Sequence, residues 1–186
     1  MNTRRQLSLY VPRTEGVLLE AVRQVLDPVQ AGLIPAHVTL CREDEIGQVS
    51  AAKIELWLRT SAAQPVMLGF GNPVNFDGHG VLLPCVAGEQ AFHQLRSNVL
   101  GATAIRRNAP HITLAHPRNP LPAKGSLVDA MGLPENLSFT FATIVSIEQA
   151  TPFNGAGIHA LMLSGRRTAQ LSKLHRRCES RFCLFL

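Results

Sequence analysis

The chain has 186 residues, 46% of them hydrophobic and 17% charged, with 14 glycines and 12 prolines; this composition excludes disorder, collagen and coiled coil, and the length suits one domain. No run approaches the roughly 18 apolar residues of a membrane span, and the short apolar run near the start is broken by Pro12, which excludes a good signal peptide. A net charge of +5 favours an anionic partner such as a phosphate ester or RNA, but six of the 18 Lys+Arg fall in the last 21 residues, so the excess belongs to the tail.

The elements follow in chain order. Leu7 to Val11 reads as a strand stopped by Pro12, and Thr14 as the N-cap of a helix whose apolar face is Val17, Leu18, Ala21, Val22 and Val25. Ile34-Pro35-Ala36-His37-Val38-Thr39-Leu40 is the next strand, and Ser50 to Arg59 a helix. Val66–Phe70 and Val74–Phe76 are strands around Gly71-Asn72-Pro73. Gly80 to Leu83 is a strand stopped by Pro84, and Ala91, Phe92, Leu95 and Val99 mark a helix that ends at Gly101. Asn108-Ala109-Pro110-His111-Ile112-Thr113-Leu114 is a further strand, and Arg118 to Gly125 a loop. Leu137–Ile147 and Gly157–Leu163 are strands joined by a turn at Pro152-Phe153-Asn154-Gly155. From Arg166 the basic tail has helical spacing in Leu171 and Leu174, and its apolar end, Phe182 to Leu186, needs burial or a partner. Residues 1–163 are thus expected to form the domain and 164–186 the tail.

This order contains a repeat. Both His37-Val38-Thr39-Leu40 and His111-Ile112-Thr113-Leu114 read H-[VI]-T-L, and each follows a strand, a proline and a helix, with Pro12 preceding His37 by 25 residues and Pro84 preceding His111 by 27. Side chains alternate along a strand, so His37 and Thr39 share one face while Val38 and Leu40 take the other, and the second copy does the same. Two such strands related by a pseudo-twofold aim two imidazoles and two hydroxyls at a common cleft. That set suits phosphodiester cleavage: one neutral imidazole takes a proton from water, a protonated one gives a proton to the departing oxygen, and the threonines bind the non-bridging oxygens.

On these two motifs the chain resembles the 2H phosphoesterase superfamily, in its 2'-5' RNA ligase-like, RNA 2',3'-cyclic phosphodiesterase branch, over about Leu7 to Leu163. The resemblance implies an α+β fold of two pseudo-symmetric lobes, each an antiparallel sheet backed by helices, around a central cleft. It implies hydrolysis of 2',3'-cyclic phosphate or 2'-5' linked RNA ends or small nucleotides, with His37 and His111 catalytic, Thr39 and Thr113 on the phosphate, and neither metal nor cofactor. Alternatives of the same fold are a nucleotide- or RNA-binding module with little turnover and an ADP-ribose cyclic phosphate phosphodiesterase. Many members carry an arginine soon after the second motif; this chain has Ala115-His116-Pro117-Arg118.

Flanking groups are secondary candidates. Arg42, Arg107, His116 and Arg118 are candidate phosphate or substrate contacts, although alternation sends His116 to the far face. Cys41 shares the face of His37 and Thr39 by the same count and reads as a small filler. Tyr10 and Phe76 are candidates for stacking a base, against a default of core packing. Cys41, Cys85, Cys178 and Cys183 have no C-x-x-C spacing, which argues against a zinc site or a disulfide framework and for a reducing cytoplasm, where a monomer is expected.

Overall fold

The computed structural model describes residues 3–47, 49–60, 63–76, 80–102, 105–116, 132–150 and 156–162. The expected loop after Arg118, the turn at 152–155 and the basic tail lie outside the described residues. The elements are β1 (Thr3–Tyr10), α1 (Val17–Leu26), α2 (Pro28–Leu33), β2 (His37–Cys41), α3 (Glu43–Ile46), α4 (Ala51–Thr60) and β3 (Val66–Phe70). They continue as β4 (Val74–Phe76), β5 (Gly80–Ala87), α5 (Glu89–Leu100), β6 (His111–Ala115), β7 (Leu137–Phe141), β8 (Thr143–Ala150) and β9 (Ala156–Met162).

The class is α+β. The strands pair antiparallel in the order β7-β3-β5-β6-β2-β1-β8-β9, with β4 added on β5. At the centre β2 meets β6 through one registered pair, Val38↔Ile112. One residue, Ala142, joins β7 at one edge to β8 near the other. Two Cα steps span at most about 7.6 Å, so the sheet must curl to bring those ends together.

Around the central joint the repeat holds residue by residue. Leu7, Ser8, Leu9 and Tyr10 pair with Cys41, Thr39, Val38 and His37; Val81, Leu82, Leu83 and Pro84 pair with Ala115, Thr113, Ile112 and His111. Each partner in the second set is 74 positions after its counterpart, and the register shifts at the same step in both, Leu7/Ser8 and Val81/Leu82. The structural counterpart of Pro84 is therefore Tyr10, not Pro12. Nor does Pro84 stop its strand: it lies inside β5 at the last β6 pair, and its carbonyl accepts from the Gly71 N–H at 2.9 Å. Proline is tolerated where a ladder ends and no amide hydrogen is required.

The core lies on the face that Leu9, Val38, Leu83 and Ile112 share, all at most 1% exposed, where α1 and α5 pack. Here α1 departs from expectation. Its buried residues are Leu19, Val22, Arg23 and Leu26, while Val17 and Val25 are 65% and 62% exposed and Leu18 is also exposed. An arginine belongs to the inward stripe, so ranking positions by apolarity alone rotates the helix to the wrong phase. Its N-cap is Gly16, which follows a turn on the Pro12 carbonyl, and not Thr14.

Three further features go beyond the expected elements. The run from Leu137 to Ile147 is two strands, β7 and β8, paired to different neighbours. The short α2 begins at Pro28, with the Asp27 carboxylate accepting from the Gln30 N–H at 3.0 Å, a cap plus a first-turn proline. Gly88 opens α5 with φ +87, and a Cβ there would lie 2.2 Å from the Met67 carbonyl oxygen, so glycine is required. The expected helices at 50–59 and 91–99 are present as α4 and α5, with Gly101 closing α5 in the left-handed region.

Candidate active site

Strands β2 and β6 have the same burial pattern: histidine and threonine half-buried, the residues between and after them buried. Counting antiparallel from Val38↔Ile112 sets His37 opposite Thr113 and Thr39 opposite His111. The two histidines are then diagonal neighbours across the joint, about 7–8 Å apart at Cα. All four side chains face away from the core.

The backbone sets the tautomer of each ring. His37 Nδ1 lies 2.8 Å from the Pro35 carbonyl oxygen and His111 Nδ1 lies 2.9 Å from the Ala109 carbonyl oxygen. A carbonyl only accepts, so both Nδ1 atoms carry hydrogen and both Nε2 atoms are left for chemistry. Two residues back from each histidine, the same local bend supplies the same acceptor.

The setting of His37 acts on its charge. Burial pushes the His37 pKa below its ordinary 6.5, Arg23 and His111 push the same way, and the Pro35 hydrogen bond and Glu20 oppose them. The Tyr10 ring lies tilted against His37, with centroids 5.9 Å apart. Burial also raises the Tyr10 phenol to about 12, and its hydroxyl is buried with no hydrogen-bond partner. Tyr10 therefore packs on the imidazole as a neutral ring.

The secondary candidates are placed elsewhere. Arg42 turns out of β2 to open α3, exposed, with its Nε 3.9 Å from Asp44. Arg107 lines a cavity of about 500 Å³ along α5 with Glu89, His93 and Ser97, which includes neither motif histidine. The His116 N–H donates to the buried Asp27 carboxylate at 2.8 Å, tying the end of β6 to the α1–α2 junction. Arg118 lies outside the described residues. Phe76 is exposed on β4.

Cys41 lies on the other face from the one expected. The register shift leaves Leu40 unpaired, so Cys41 falls opposite Leu7 on the core face, fully buried. Burial raises its thiol to about 12. It is a filler, on the face opposite to His37 and Thr39.

Two buried arginines stand outside the sequence expectations. Arg23 on α1 is 2% exposed and Arg96 on α5 is 0% exposed. Arg23 pairs with Glu20 at 2.6 Å and donates to the Ile34 carbonyl at 2.9 Å. Arg96 pairs with Glu45 and donates to the Leu40 and Arg106 carbonyls at 2.7 and 2.6 Å. Each grips backbone next to a motif. The available signal was an arginine at matching places in the two helices, 14 residues before His37 and 15 before His111.

Among the described residues no group of three or more His, Cys, Asp or Glu is placed to hold a metal ion, and no helix is long and apolar enough to cross a membrane.

The fold is shared with E. coli LigT. Its complex with 3'-AMP superposes with a TM-score of 0.57 at 19% identity, over 92% of this chain and 100% of LigT. The complex with NADP+ gives 0.53 at 18% identity, over 91% and 98%, and the complex with ATP gives 0.51 at 18%, over 91% and 99%. At this identity the likeness is one of fold, and its α+β class is the one that the resemblance implied. No family model and no curated protein sequence matches the chain.

Proposed function

We propose that this chain is a 2H phosphoesterase that hydrolyses cyclic phosphodiesters, at 2',3'-cyclic RNA ends or in small nucleotides, by paired-histidine acid–base catalysis without a metal. The supporting observation is the diagonal pair at the β2–β6 joint, with Nδ1 of each histidine occupied by a carbonyl and each threonine opposite the other strand's histidine. His37, held neutral by burial, is the base: its Nε2 takes a proton from water as the water oxygen attacks phosphorus. His111 is the acid, and its Nε2–H goes to the ribose oxygen as the P–O bond breaks. Thr39 and Thr113 donate to the non-bridging oxygens, where charge grows. The product is a phosphomonoester, and exchange with solvent resets both rings. The nucleotides bound by LigT in its complexes accord with this substrate class. We also read the protein as a cytoplasmic monomer.

The test is phosphorus NMR of 2',3'-cyclic nucleotides incubated with the protein and a chelator. A new monoester signal is expected, absent from folded His37→Ala and His111→Ala variants. Near-native turnover by either variant would refute the paired mechanism. Nucleotide binding without product after prolonged incubation would select the binding-module reading instead.

A further inference from the structure

The two motifs differ in one respect that their H-[VI]-T-L match conceals: the place of the proline. In the first copy it is Pro35, so the peptide whose carbonyl accepts from His37 carries the Ala36 N–H. In the second it is Pro110, so the peptide whose carbonyl accepts from His111 has no N–H at all. The extra donor is used. Glu20 Oε1 accepts from the Ala36 N–H at 2.5 Å. The other oxygen of Glu20 is held by Arg23 at 2.6 Å, and Arg23 also holds the preceding carbonyl, Ile34, at 2.9 Å. A carboxylate on one end of a peptide and an imidazole N–H on the other form a continuous chain in which each hydrogen bond polarises the next.

We propose that Glu20 and Arg23 are positioning residues for His37, with Glu20 acting on the ring through the Pro35–Ala36 peptide. This inference deepens the proposed acid–base role of His37 and rests on it. Glu20 aligns the peptide so that its carbonyl faces Nδ1, Arg23 fixes both Glu20 and the turn before it, and Nε2 is left unprotonated toward the open face. The second copy has no counterpart, because Pro110 removes the donor and Arg96 reaches instead to Leu40, Arg106 and Glu45. The pair is thereby made unequal. The charged or titratable groups that act on His37 are Arg23 and Glu20 from α1 and His111 from β6, and Tyr10 from β1 packs on the ring.

The experiment is imidazole ¹⁵N NMR of the full chain across pH, with His37 signals assigned by their loss in His37→Ala. The wild-type ring is expected as the Nδ1–H tautomer. Glu20→Ala is expected to mix the tautomers of His37 while leaving His111 unchanged, and to lower kcat about ten- to a hundredfold with little change in KM. Glu20→Gln keeps an acceptor and the volume, so it retains the tautomer. It removes the charge that raises the His37 pKa, so that pKa should fall below the wild-type value. Should Glu20→Ala not fold, the Glu20→Gln titration decides. An unchanged His37 tautomer in Glu20→Ala, or an unchanged His37 pKa in Glu20→Gln, overturns the inference. If the wild type turns over no cyclic phosphodiester, the proposed function fails while the NMR still decides the coupling.

Discussion

Threonine and valine fill nearly the same volume, so the hydroxyls of Thr39 and Thr113 can be removed without disturbing a strand. If they hold charge that develops in the transition state, each Thr→Val should lower kcat about ten- to a hundredfold, more than it raises KM, with an unchanged melting temperature. Thr→Ser should retain most of the rate. Wild-type kinetics in both valine variants would make the threonines strand formers only. His37 allows a second test. Its native pKa lies below 6.5, so the native state binds fewer protons than the unfolded chain in mildly acid solution. Stability from this group is full above about pH 6.5 and is lost as pH falls through the native value. Urea unfolding of wild type against His37→Ala should show that loss only in wild type, and the acid limb of the rate profile should fall below pH 6.5. The strand face that His37, Thr39, His111 and Thr113 share could be read from the sequence because alternation and repetition both act over a few positions. Glu20 could not. Its role is a contact to Ala36, 16 residues away, created by packing a helix against a turn.

Helix α1 shows why an element can be recognised and still be turned the wrong way. A 3.6-residue period announces the helix, but Val17, Leu18 and Val25 form as plausible a stripe as Leu19, Val22 and Leu26. The choice is made by Arg23, whose guanidinium finds Glu20 and a carbonyl inside the protein. Leu19→Ala should therefore destabilise by about 2–5 kcal/mol, while Val25→Ala should cost little. Denaturant titration of the two compares them directly, and equal losses would contradict the assigned phase. Strands were legible for a simpler reason, since β3, β4 and β9 are short runs bounded by turn residues. The split at Ala142 was not, because the run stays strand-like in composition across it while the pairing partner changes. Pro84 misled likewise: whether a proline ends a strand depends on the neighbouring ladder, which is not local information.

At the scale of the whole molecule, the single pair Val38↔Ile112 marks a pseudo-twofold axis that exchanges His37 with His111 and Thr39 with Thr113. A phosphodiester under in-line attack has a matching symmetry. Entering and departing oxygens are axial, the two non-bridging oxygens are equatorial, and a twofold axis along the bond to the retained ester oxygen exchanges both pairs. Imidazoles on the axial atoms and hydroxyls on the equatorial ones would satisfy that geometry with one element repeated. A phosphomonoester, with three equivalent terminal oxygens, has no such correspondence. Stereochemistry follows from this. On the proposed placement, sulfur in place of either non-bridging oxygen would meet one threonine in each case, so the Rp and Sp phosphorothioates of a 2',3'-cyclic nucleotide should be slowed to similar extents, within about a factor of ten. A preference of a thousandfold for one diastereomer would mean that a single side of the site holds the phosphate. In the proposed reaction the joint in the sheet would act as a template for a shape that exists only while the bonds at phosphorus are being exchanged.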